Sequence, residues 1–99
     1  MAQHTTVTIP ERTWVQLTNA SVSSITFQNV SRDTKIYVTG TADTTPPTLG
    51  GNPFIIYAES QGELNTTLTD LFPGISATRV WAYNPAEGEG DARVFVSHA

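Results

Sequence analysis

Ser23-Ser24-Ile25-Thr26-Phe27-Gln28-Asn29, followed after Val30 to Thr34 by Lys35-Ile36-Tyr37-Val38-Thr39, is the stretch that decides the fold class. Ile25 and Phe27 alternate with polar neighbours, and so do Ile36 and Val38. A period of two places every second side chain on one face of a strand. Ser31-Arg32-Asp33 supplies a polar turn between the two runs, so the pair reads as a hairpin.

The same alternation extends outward in both directions. Thr5 to Ile9 carries Val7 and Ile9, Pro10 and Glu11 interrupt it, and Thr13 to Thr18 resumes with Val15 and Leu17 on one face. Gly40 to Pro53 holds Pro46-Pro47, Gly50-Gly51 and a third proline, which no central strand or helix tolerates. A loop of that length in a small domain tends to be functional or disordered. Phe54 to Ala58 is a continuous apolar run, expected as a strand buried on both faces or at a covered edge. Leu64, Thr66 and Leu68 fit strand spacing, whereas Leu64, Leu68, Leu71 and Phe72 fit a helix. Asn65-Thr66-Thr67 is poor helix material, so the reading is a strand that ends in a turn at Pro73-Gly74. Thr78 to Tyr83 and Ala92 to Ser97 close the chain as a second hairpin, with Gly88 and Gly90 available for positive φ in its loop.

Seven or eight short strands separated by turn chemistry predict an all-β fold, a small single-domain antiparallel β-sandwich or jelly-roll-like barrel. Residues 1–99 make one domain with short, frayed ends. Surface scaling gives roughly 5,500 Å² accessible for a folded chain of this mass, about two-thirds less than the unfolded chain exposes. Sixteen threonines and seven serines stand beside only five lysines and arginines, so the outward strand positions are hydroxyls rather than charges. Nine aromatic residues spread along the chain separate it from a disordered Thr/Ser stalk.

Composition also removes function classes. Without cysteine there is no disulfide framework, thiolate metal site or cysteine nucleophile. A net charge of -4 with five basic residues predicts no nucleic-acid partner. No apolar run nears the ~20 residues of a membrane span, and the opening Met-Ala-Gln-His-Thr-Thr has no signal-peptide pattern; no membrane partner is expected. His4 and His98 both sit at chain ends, expected as exposed tail residues, where a general base would be poorly held, and there is no Gly-x-Ser-x-Gly elbow. Glu87, Glu89 and Asp91 place oxygens at i, i+2 and i+4, which invites calcium, but they lack the ligand set of a calcium-binding helix-loop-helix. Asn19, Asn29 and Asn65 each begin an Asn-x-Ser/Thr triplet, as chance allows in so hydroxyl-rich a chain. The reading is therefore of no catalytic residues, no metal, no cofactor and no enzyme.

The aromatic residues leave two placements open. If Val80 and Ala82 face the core, Arg79, Trp81 and Tyr83 share the opposite face, and Val94 and Val96 inward likewise put Arg93 and Phe95 outward. The last hairpin then presents arginines and large rings on one outer side for a partner to cover. Alternatively, Trp81 and Phe95 are the core residues and the valines face a second layer. Trp14, between Thr13 and Val15, poses the same choice.

Thr13-Trp14-Val15, Ile25-Thr26-Phe27-Gln28-Asn29, Lys35-Ile36-Tyr37-Val38, the Pro46-Pro47 to Gly50-Gly51 loop, Arg79-Val80-Trp81-Ala82-Tyr83 and Arg93-Val94-Phe95-Val96 follow one another in a characteristic order. In that order the chain resembles small β-rich virion accessory proteins of tailed bacteriophages, of the capsid decoration and head or tail accessory type. The resemblance implies a non-enzymatic structural protein that binds the outer capsid surface and stabilises it, soluble in the host cytoplasm before assembly and then part of the virion. Its partner would be the major capsid protein or another virion protein, and a homo-oligomer such as a trimer would suit the role. The contact residues expected are Trp81, Tyr83, Arg93, Phe95 and Tyr37, with Pro46 and Pro47 of the long loop. The alternative is a carbohydrate-binding or receptor-binding accessory module of a phage tail, using Trp14, Trp81 or Tyr37 as a platform for sugar rings.

Overall fold

The structure, a computed structural model, describes residues 2–99. The alternating segments become β1 (Gln3–Ile9), β2 (Trp14–Gln16), β3 (Ser24–Asn29), β4 (Ile36–Thr41), β5 (Ile55–Tyr57), β6 (Gly62–Thr67), β7 (Arg79–Tyr83) and β8 (Ala92–His98), with one helical turn, α1 (Leu68–Leu71), before β7. They form two four-stranded antiparallel sheets, ordered β1-β8-β3-β6 and β2-β7-β4-β5. The pairs are nested: β1 with β8, β2 with β7, β3 with β6, β4 with β5. A long antiparallel ribbon rolled so that β8 also meets β3 and β7 also meets β4 is the jelly-roll winding, which resolves the choice left open by the sequence.

Rolling changes the partners of the strands while leaving their positions nearly as expected. Every connection except β4 to β5 crosses from one sheet to the other. The segments around Ile25 and Ile36 are therefore not a hairpin: β3 lies in one sheet and β4 in the other, and Ser31-Arg32-Asp33 turns a corner between them. β7 and β8 are separated in the same way, so the expected terminal hairpin is also a corner.

Between the sheets, Ile25, Phe27, Val38, Val80, Val94 and Val96 are each at most 1 % exposed. Each such side chain stabilises the fold by roughly 1.5–3 kcal/mol relative to exposure. The valines of β7 and β8 thus face the core, and Trp81 and Phe95 do not. The accessible area is 5394 Å², close to what surface scaling gives for this mass.

Three local expectations are corrected. β5 is neither buried on both faces nor covered, because it ends its sheet and leaves Ile55 and Ile56 exposed. β6 does not keep strict alternation. Ile25 opposes Thr66 and Phe27 opposes Glu63, so two residues of β6, Leu64 and Asn65, face one residue of β3. This bulge, with Asn65 at φ 45° and its amide donating to Thr26 Oγ1 at 2.8 Å, turns Leu64 out to solvent. The segment after β6 is helical rather than extended: Thr67 caps it by accepting from the Asp70 amide at 3.2 Å, and Leu68 is buried. β1 pairs with β8 along its whole length, from Gln3 opposite His98 to Ile9 opposite Ala92.

Candidate functional site

The two sheets carry two outer faces, and the residues expected to share one docking surface are divided between them. Tyr37, Trp81 and Tyr83 stand outside the β2-β7-β4-β5 sheet, whereas Arg93 and Phe95 stand outside the β1-β8-β3-β6 sheet. The cause is the corner between β7 and β8: residues on the outer sides of adjacent strands share a surface only when the strands share a sheet.

On the first face the register aligns Trp14, Tyr83, Tyr37 and Ile56 in a row across all four strands. Trp14 leans on Tyr83 at 5.1 Å, Tyr83 lies near-parallel to Tyr37 at 5.9 Å, and Phe54 stacks on Tyr37 at 4.1 Å. Such ring pairs contribute about 0.5–1.5 kcal/mol each beyond their burial. The adjacent row is Gln16, Trp81 and Thr39. Trp81 donates its indole N–H to Thr41 Oγ1 at 2.8 Å, and Thr39 donates its hydroxyl to the Pro53 carbonyl at 2.8 Å. The Gly40–Pro53 loop thus comes back over this sheet. Trp81 is only 7 % exposed and Tyr83 9 %, Pro47 is buried as well, and Pro46 remains exposed. Of the expected contact residues, Trp81, Tyr83 and Pro47 are therefore engaged within their own chain. The rings proposed as sugar platforms are engaged too, Trp81 through its indole bond to Thr41 of β4 and Trp14 and Tyr37 against Tyr83.

The second face has no such cover. Its central row is Thr6, Phe95, Gln28 and Gly62, with His4, Ser97 and Thr26 on one side and Thr8 and Arg93 on the other. Threonine, serine and glutamine side chains dress a sheet whose central row carries Phe95, half-buried with the His4 ring edge-on at 5.2 Å. Gly62 leaves the end of the row without a side chain, and the bulge throws Leu64 out beside it at 83 % exposure. Phe95, Gly62 and Leu64 line a groove of about 380 Å³ rimmed by Thr26, Gln28 and Ser60. Leu64 is an exposed apolar residue that sequence reasoning did not single out. Its phase with Leu68 suggested a buried strand position, and only the extra residue of the bulge reverses that.

His4 is exposed as expected, but His98 is placed differently. His98 is not an exposed tail residue: it is 8 % exposed, with Nε2 3.2 Å from Gln3 Oε1 and Nδ1 3.0 Å from the Ala99 carbonyl. His4 Nδ1 lies 3.1 Å from Ser97 Oγ, its register partner, at an exposed position. In the acidic β7–β8 loop the ordered groups are amides. Gly88 and Gly90 donate to the two carboxylate oxygens of Glu11 at 3.1 and 2.5 Å, and Glu87 pairs with Arg12. The Gly90 amide first, and the Gly88 amide second, hold the Glu11 carboxyl below its ordinary range. Among the described residues no three His, Asp or Glu side chains are grouped to hold a metal ion. Burial, reinforced by its hydrogen bond to Glu63 at 2.9 Å, pushes the Tyr57 phenol well above its ordinary range. Of the three Asn-x-Ser/Thr triplets, Asn29 is fully buried and closed to modification.

No helix among the described residues is long and apolar enough to cross a membrane. No family model, no curated protein and no solved structure matches the chain.

Proposed function

We propose that this protein is a non-enzymatic structural protein of a bacteriophage virion, seated on the outer capsid surface as a stabilising decoration protein. It would use the outer face of the β1-β8-β3-β6 sheet for that contact. The observation that carries this reading is the asymmetry between the two outer faces. On one, the Thr39 hydroxyl ties Pro53 of the Gly40–Pro53 loop to the sheet and Trp81 and Tyr83 are buried, whereas the other is rich in hydroxyls, with Phe95 and an 83 % exposed Leu64 beside a groove. A flat hydroxyl-bearing sheet with a small apolar centre matches the anatomy of a protein interface, in which a desolvated apolar core sits inside a polar rim. The order of strand motifs that resembles tailed-phage accessory proteins supplies the partner class. Jelly rolls recur in viral capsid and lectin domains, and the architecture alone selects neither.

Engagement of Trp14, Trp81 and Tyr37 with their own chain argues for the shell-binding reading over the carbohydrate module. Incubation with purified tailed-phage heads or empty shells, followed by sedimentation, is the test. Co-sedimentation of the protein with intact shells is expected, and its retention in the supernatant would overturn the reading. A change in tryptophan fluorescence on adding host polysaccharide would favour the carbohydrate module instead.

A further inference from the structure

Glu11 sits on the turn between β1 and β2, far in sequence from the β7–β8 loop, yet each of its carboxylate oxygens accepts one amide from that loop. Gly88 and Gly90 adopt φ of 88° and 93°, which aims their N–H groups at the same anion and which other residues rarely tolerate. Both ends of the segment are held separately. Asn84 accepts from the Ala86 amide at 2.9 Å and donates to the Gly90 carbonyl at 3.0 Å, and the Arg93 amide donates to Ser31 Oγ at 2.7 Å. Glu87 to Asp91 are exposed, and Glu89 of this stretch lines a cavity of about 480 Å³ together with Asp33, Lys35, Glu59, Pro85 and Ala86.

We propose that the Glu87–Gly90 segment is an acid-released flap at the edge of this cavity, latched by the Glu11 carboxylate. The latch needs both oxygens as acceptors. Protonation converts one of them to a hydroxyl donor facing an amide donor, so at least one amide loses its partner. Three further carboxylates, Glu87, Glu89 and Asp91, share the loop, and Arg12 beside Glu87 is the one cation on the turn that carries Glu11. The amide pair therefore supplies most of what holds the anion, as the depressed Glu11 titration indicates. When the latch opens, the Glu87–Gly90 segment moves while β7 stays paired with β2 and β4, and β8 with β1 and β3.

Amide and side-chain NMR during an acid titration of the whole chain tests this. The Gly88 and Gly90 amide resonances should move together with the Glu11 side-chain carboxyl, at one midpoint. Glu11→Gln, which keeps one acceptor and presents a donor to the other amide, should show the released shifts at neutral pH and raise hydrogen exchange at Gly88 and Gly90 at least tenfold, with Val94 and Val96 unchanged. Amides that track Glu87 or Asp91 rather than Glu11 would overturn the proposal. So would a Glu11→Gln protein with native Gly88 and Gly90 shifts, or one in which Val94 and Val96 lose protection to the same extent.

Discussion

Asn29 and Asn84, 55 positions apart, make the same three hydrogen bonds at two different corners of the jelly roll. Asn29 donates to the carbonyls of Thr34 and Tyr57 at 2.8 and 3.1 Å and accepts from the Ser31 amide at 3.0 Å. Asn84 donates to the carbonyls of Ile9 and Gly90 at 3.1 and 3.0 Å and accepts from the Ala86 amide at 2.9 Å. Both are fully buried, Asn29 as the last residue of β3 and Asn84 directly after β7, and from each the chain crosses to the other sheet. In each case the side chain shapes its own turn through the amide two residues on, and ties that turn to a third strand end.

Replacing either clamp leaves buried backbone groups without partners. Asn84→Ala is expected to destabilise the fold by about 3 kcal/mol, given roughly 1–3 kcal/mol for each buried group left unpaired. Asn84→Asp should cost at least as much, because a carboxylate cannot donate to the Ile9 and Gly90 carbonyls. Urea unfolding midpoints check both, and Asn29→Ala should behave as Asn84→Ala does.

These clamps also show what could and could not be read from the chain. Period-two alternation placed nearly every strand within a residue or two, because burial of one face writes itself locally. Which strands pair is not local. The turn at Ser31-Arg32-Asp33 has the composition of a hairpin turn, and what makes it a corner is Asn29 reaching the carbonyl of Tyr57, 28 residues away. Placing Arg93 and Phe95 beside Trp81 and Tyr83 failed for the same reason, since Asn84 marks a change of sheet. The outward aromatic positions themselves were legible from the inward valines.

A second prediction concerns close backbone approach. A Cβ on Gly62 would lie 1.9 Å from the Phe27 carbonyl oxygen, whereas one on Gly74 would meet nothing within 4 Å. Gly62→Ala must push β6 off β3, and a loss of about 3 kcal/mol or more is expected for overpacking against backbone. Gly74→Ala should be neutral or stabilise by about 0.4–1 kcal/mol through the unfolded chain. Thermal unfolding of the two variants side by side measures the contrast.

A third prediction is the response to pH. Glu11 has a folded pKa below its unfolded value, so its contribution is present above the unfolded pKa and is lost as pH falls through the folded one. Tyr57 has a folded pKa above its unfolded value, so its contribution is complete below the unfolded pKa and is lost as pH rises through the folded one. Unfolding free energy should thus decline at both extremes, with Glu11→Gln flattening the acid limb and Tyr57→Phe the alkaline one. Tyr57→Phe should also remove a phenolate absorbance step that lies above the ordinary tyrosine range.

A fourth prediction separates the covered face from the open one by stability. Tyr83→Ala removes a ring held between Trp14 and Tyr37 and should cost about 3–5 kcal/mol, as large core truncations do. Leu64→Asp changes a side chain that is 83 % exposed and should stay within about 0.5 kcal/mol of the parent in urea unfolding.

The most direct measurement of the docking account compares Leu64→Asp with Ile56→Asp in sedimentation with phage shells. Both positions are exposed, but Leu64 borders the open β1-β8-β3-β6 face and Ile56 lies on the outer face of the other sheet. The account predicts that Leu64→Asp remains in the supernatant while Ile56→Asp pellets with the shells like the parent chain. Pelleting of Leu64→Asp together with loss of Ile56→Asp would contradict it.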